Sequence, residues 1–411
     1  MSLSTFSTTQ QGMILNALFE STSFYLVPVL LLESFIMGVL CASVPFVSYL
    51  LWVKSRSFPR APFISMLWIA LAGVVTHWTF SLRLLVMTLN GRSLGISLSL
   101  SDLSPQVSES GGANVHVAET TYFTYISYAR AWTYILPLVT ETTLFGFSSF
   151  CFGIVAYTRF RKTDSGSQRR SWIPLLIPGL ASLIYVSSLA HWVIFLWCFT
   201  VYNPGLTENL NGVVGGLYRY ETALVVLLSM NALLSDSIVL WRMCVVWDRT
   251  LNFLVIPQYS RNFEEPSHLL PTENLKDSEI IDTFGGTYVG LASAFVSLAS
   301  NLCATILVGT KFWLHRRRVT KYFHHDRHRT LAERVMELLV DSGVMYTAIW
   351  LLYCISFYRP ITTQEPIPLG HFVNAETVTT ASHLDAAMAQ ITVLSISTEN
   401  RAFYYCPWLL T

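Results

Sequence analysis

The stretch from Glu221 to Arg249, ETALVVLLSMNALLSDSIVLWRMCVVWDR, constrains the fold more than any other. It is apolar and long enough to cross a bilayer, yet it carries Asn231, Ser235, Asp236 and Arg242. At 3.6 residues per turn Asn231, Ser235 and Arg242 share one stripe, and Ser229 and Asp236 share another. Lipid does not answer such groups. The helix belongs inside a bundle whose neighbours do.

The rest of the chain supplies those neighbours. Of 411 residues, 52% are hydrophobic and 12% charged, which excludes an ordinary soluble globule. Apolar runs at 24–53, 62–89, 132–158, 173–200, 219–247, 286–314 and 336–358 each reach the roughly 20 residues a spanning helix needs. An eighth, 380–397, is weaker: AAMAQITVLSI is short and follows His383 and Asp385. The predicted fold is an all-α polytopic transmembrane bundle of seven clear spans and a weak eighth, with kinks at Pro28 and Pro45. The seven cysteines lie scattered, mostly in apolar runs, and imply neither a disulfide framework nor a metal site. The first twenty residues lack the basic start of a signal peptide, so the first span is expected to insert and stay.

Orientation follows from the flanking cations. Lys54, Arg56 and Arg60 follow the first span. Arg159, Arg161, Lys162, Arg169 and Arg170 follow the third, and Arg316, Arg317, Arg318, Lys321, Arg327, Arg329 and Arg334 follow the sixth. The segments 90–131, 201–218 and 359–379 are poor in Lys and Arg. The N-terminus is therefore placed outside, with the basic loops in the cytosol. A conflict results: the fifth and sixth spans must both run inward, and 250–285 between them holds no spanning run. That segment is expected to be irregular chain, standing where one crossing is missing.

The chain also repeats itself. ESFIMGVLCASVPFVSYLLWVKS from Glu33 and ETTLFGFSSFCFGIVAYTRFRK from Glu141 place Glu, Gly (38, 146) and Tyr (49, 157) at one constant offset. The second and fourth spans then share His77-Trp78 and His191-Trp192. This is a duplicated helix hairpin whose copies run in the same direction. The chain divides into a polar N-terminus (1–23), an extra hairpin (24–90), an outer loop (91–131), a seven-helix-like core (132–397) and a tail (398–411).

These residues resemble a family of seven-helix integral membrane proteins of mushroom-forming (basidiomycete) fungi. The resemblance rests on the Glu-Ser/Thr-x-x-x-Gly helix and the His-Trp helix. It rests further on NALLSDSIVLWRMCVVW from Asn231, SLASNLCAT from Ser297 and VDSGVMYTAIW from Val340. On that register the family's fourth helix would fall in 250–285, where this chain departs from the pattern. The resemblance implies a receptor-like architecture without an established biochemical activity.

Glu33, His77, Glu141 and His191 are ionisable groups in apolar spans, readable as a carboxylate–imidazole relay, a polar ligand pocket or simple interhelical glue. Asn231, Ser235 and Asp236 with Arg242 are candidates for a buried network. Asn301 lies on a stripe of Ser293, Ser297, Asn301 and Thr305, expected to pack on neighbouring helices and answer Asp236. The basic segment 311–334 sets topology, binds anionic lipid headgroups or docks a cytosolic signalling partner. Its histidines, 315, 324, 325 and 328, lack metal-ligand spacing. No catalytic, cofactor or nucleic-acid motif is present, so no enzyme is expected. The readings left are a receptor-like sensor of unknown ligand, a transporter or proton-coupled channel, and an incomplete gene product without activity.

Overall fold

The computed structural model of the chain describes residues 22, 26–54, 60–89, 134–158, 173–201, 210–247, 288–322, 331–358, 363–364, 378–379 and 382–391. Eight helices run through them. α1 is Val27–Lys54 and α2 is Arg60–Leu89. α3 is Tyr134–Thr158. α4 is Ile173–Val201, α5 Leu210–Val246, α6 Tyr288–Tyr322 and α7 Leu331–Tyr358. A short α8 covers 382–391. All but α8 are long and apolar enough to span a membrane. The protein is an all-α, multi-pass membrane protein.

The helices overrun the apolar runs that mark them. α6 continues through Arg316 and Arg317 to Tyr322, because charged residues in water keep a helical ladder at little cost. Its 35 residues measure roughly 52 Å, against a hydrocarbon core of about 30 Å. Pro28 falls in the first turn of α1, where a residue's N–H has no intrahelical acceptor, so the N–H that proline lacks is not missed. Pro45 lies inside α1. Two-residue strands β1 (Thr363–Gln364) and β2 (Val378–Thr379) pair antiparallel with Thr363 opposite Thr379, in a stretch the sequence marks only as loop.

Side-chain contacts fix the direction of each helix. α3 and α4 are antiparallel: Tyr134 meets Phe195, Glu141 meets His191 and Ser149 meets Tyr185. α8 runs parallel to α3, with Thr140 on His383 and Ser148 on Gln390. α5 and α6 are also parallel. Asp236 bonds to Ser297 and Asn301, and further along both helices the Lys311 ammonium sits 5.4 Å above the Trp247 ring. Two consecutive spans thus point the same way, which is the conflict the flanking charges pose. The expectation of irregular chain over 250–285 lies outside the described residues.

The core gathers where α5, α6, α7 and α8 meet. Leu228, Ala294, Tyr346, Trp350, Tyr353 and Ala389 are buried there, the alanines letting backbones approach closely. The Tyr353 hydroxyl donates to Asp385 of α8.

The duplicated hairpins meet through their glycines. A Cβ on Gly38 would strike the Thr143 carbonyl and the Phe147 amide, and one on Gly146 would strike the Phe35 carbonyl. Phe35 and Thr143 hold equivalent places, each two residues after the repeat's glutamate. The contact is therefore reciprocal, a local two-fold between parallel helices α1 and α3, with its axis along their length.

Candidate functional site

The repeat places one Glu–His pair in each copy, and the copies differ in what surrounds them. In the second, the Glu141 side chain is 0% exposed and His191 8%, with Nδ1 2.7 Å from Glu141 Oε1. The Trp192 indole N–H donates to Thr142 Oγ1 at 2.9 Å, and Thr142 donates to the Leu138 carbonyl one turn back. In the first, Trp78 donates to Ser34 Oγ at 2.9 Å and Ser34 to the Leu30 carbonyl. Here, though, His77 lies 3.8 Å from Glu33, beyond hydrogen-bond reach, and is 72% exposed. The four ionisable residues form two pairs, one sealed and one open.

α8 and α5 do the sealing. Gln390 Nε2 donates to Glu141 Oε1 at 3.2 Å and to the Ser188 carbonyl at 3.3 Å, while Ser148 donates to Gln390 Oε1. Ser188 Oγ donates to the Ala389 carbonyl at 2.6 Å. Asn231 Nδ2 reaches Ser188 Oγ and the same carbonyl at 3.4 and 3.5 Å. Four helices thus share one buried polar junction. Two of its acceptors, Glu141 Oε2 and Asn231 Oδ1, have no hydrogen-bond partner among the described residues. In a low-dielectric interior each such atom is a place where a donor would bind with gain.

The other polar residues of α5 do not form one network. They fan out to four neighbouring helices. Asn231 turns to α4 and α8. Ser235 meets the Tyr346 hydroxyl of α7 at 2.6 Å. Asp236 accepts from Ser297 at 2.5 Å and from Asn301 at 3.1 Å, both on α6. Adjacent positions diverge because each residue turns the helix by about 100°. The side chain of Arg242 lies outside the described residues. Of the α6 stripe, Ser297 and Asn301 are buried and Thr305 packs on Gly343, but Ser293 is exposed near the start of the helix.

On the basic segment, Arg316 and Arg317 are exposed, and the Arg317 guanidinium stacks 3.7 Å over Trp313 one turn back. The side chains of Arg318 and Lys321, and residues Arg327 and Arg329, lie outside the described residues. Sequence reasoning missed Gln390, Ser188, Ser148 and Tyr346. Only Gln390 carried a signal, as the lone amide in the small apolar run AAMAQITV.

Compared with protein-family models, with curated proteins and with solved structures, the chain finds no match.

Proposed function

We propose that the protein is a receptor-like sensor whose two states differ in whether α8 seals the Glu141–His191 pair. One observation carries this reading: a carboxylate with no exposed surface, held from two other helices, keeps an oxygen unpaired among the described residues. An unpaired buried acceptor costs about 1–3 kcal/mol. A donor reaching Glu141 Oε2, whether a ligand hydroxyl, an ammonium or a proton, removes that cost. It therefore binds the two packings unequally and shifts their populations. In this reading Glu33, His77, Glu141, His191, Asn231, Ser235, Asp236 and Asn301 are the polar groups that distinguish the packings. The N-terminus faces outward from the plasma membrane. α6 carries the change to 311–334, where anionic headgroups or a cytosolic signalling partner respond. The resemblance to the mushroom-type seven-helix family supports the same reading.

The test is a distance measurement between spin labels at Thr158 of α3 and Ile391 of α8, in the full chain in nanodiscs. His191→Leu and Gln390→Leu are each expected to split one distance distribution into two. A single unchanged distribution in both variants would remove the proposal. A transporter is the second reading, favoured by the exchangeable chain of Glu141, His191 and Gln390. It requires vesicle flux that Glu141→Gln and His191→Leu abolish, whereas a sensor moves nothing.

A further inference from the structure

The two copies of the hairpin carry the same face, covered in one and bare in the other. On α4, Ala181, Ile184, Ser187 and His191 are buried, with Ala181 and Ile184 packed on Ile238 of α5. Counting back from the shared histidine, their equivalents on α2 are Leu67, Ala70, Gly73 and His77. Ala70, Gly73 and His77 are exposed. We propose that this face of α2 is the surface through which two copies of the chain pair in the membrane.

Three observations identify the occupant as a second copy. An imidazole turned to acyl chains is costly, so the face calls for a polar answer. The answer it calls for is one it also offers, since beside the exposed His77 lies Glu33, a carboxylate whose side chain is 27% exposed. Two such faces related by a two-fold along the membrane normal exchange imidazole donors and carboxylate acceptors. Glu33 and His77 lie 3.8 Å apart and so share one depth, and every copy inserted the same way presents both at that depth. Gly73, one turn before His77, meets nothing where a Cβ would stand. Among the described residues no contact requires glycine there, and its bare backbone would let a second helix approach closely. The α1–α3 crossing shows the same device in use, with glycines letting two parallel backbones touch.

The experiment uses the full chain with its native cysteines replaced, donor and acceptor dyes at Thr158→Cys, and phosphatidylcholine vesicles at increasing lipid-to-protein ratio. Energy transfer is expected to stay above the random-proximity level on dilution. Gly73→Ile and His77→Leu should each lower the lipid ratio at half-transfer about tenfold, a loss of about 1.4 kcal/mol. His77→Gln, which keeps a donor and an acceptor, should retain pairing, as should Val296→Leu on the exposed side of α6. Transfer at the random level in the unaltered protein would overturn the proposal, leaving lipid or a different protein on this face. Transfer unchanged by both Gly73→Ile and His77→Leu would overturn it equally.

Discussion

A histidine beside a glutamate means different things at His77 and His191, and the difference is burial. His191 and Glu141 have left water and bond at 2.7 Å, so removing one partner strands the other. His191→Leu is expected to destabilise the protein by about 1–3 kcal/mol. His77→Leu, measured in dilute detergent where copies are apart, should change stability by no more than about 0.5 kcal/mol. Denaturant or thermal unfolding of the two variants side by side checks the contrast. Asp236 makes a second residue-scale case, because Ser297 and Asn301 both donate to it. Asp236→Leu removes the acceptor from both donors and should cost about 1–3 kcal/mol, while Asp236→Asn, which keeps one acceptor oxygen, should cost less. Equal losses in the two Asp236 variants would show that these donors are satisfied elsewhere.

Between helices, packing depends on where backbone meets backbone. Gly38 and Gly146 stand against main-chain atoms of the opposite helix, which have no side-chain end to swing aside. Gly38→Val or Gly146→Val should therefore force α1 and α3 apart and cost about 1–3 kcal/mol. A Cβ on Gly153, on the same α3, would meet nothing among the described residues. Gly153→Ala should be neutral or stabilise by up to about 1 kcal/mol. Unfolding of the three variants in one detergent is the check. The sequence announced this crossing only indirectly, through glycines at a constant offset inside a repeat. It announced the helices themselves well, since hydropathy reports the bilayer directly, and it pointed Asp236 toward the α6 stripe. The sealing of Glu141 stayed hidden. Gln390, Ser188 and Ser148 are ordinary polar residues whose meeting depends on three helices converging, which no local pattern encodes. A helical wheel puts Asn231 and Ser235 on one stripe and Asp236 on another, but it does not show that Asn231 and Ser235 turn to different neighbours.

For the molecule as a whole, the decisive feature is the direction of its spans. Contacts make α1, α3, α5, α6 and α8 parallel, with α4 and α7 returning between them. α7 is antiparallel to α6 because Thr305 meets Gly343, while Ser235, level with Ser297, meets Tyr346 further on. The basic ends of α1 and α6 then fall on one side of the membrane, as cationic flanks require. The parallel run of consecutive helices α5 and α6 is the unusual consequence and the most exposed to test. Single cysteines at Thr158, Trp247 and Arg317, in a chain with its native cysteines replaced, can be probed in sealed vesicles with a membrane-impermeant maleimide. All three should react from the same side, whereas reaction of Trp247→Cys and Arg317→Cys from opposite sides would contradict the bundle described.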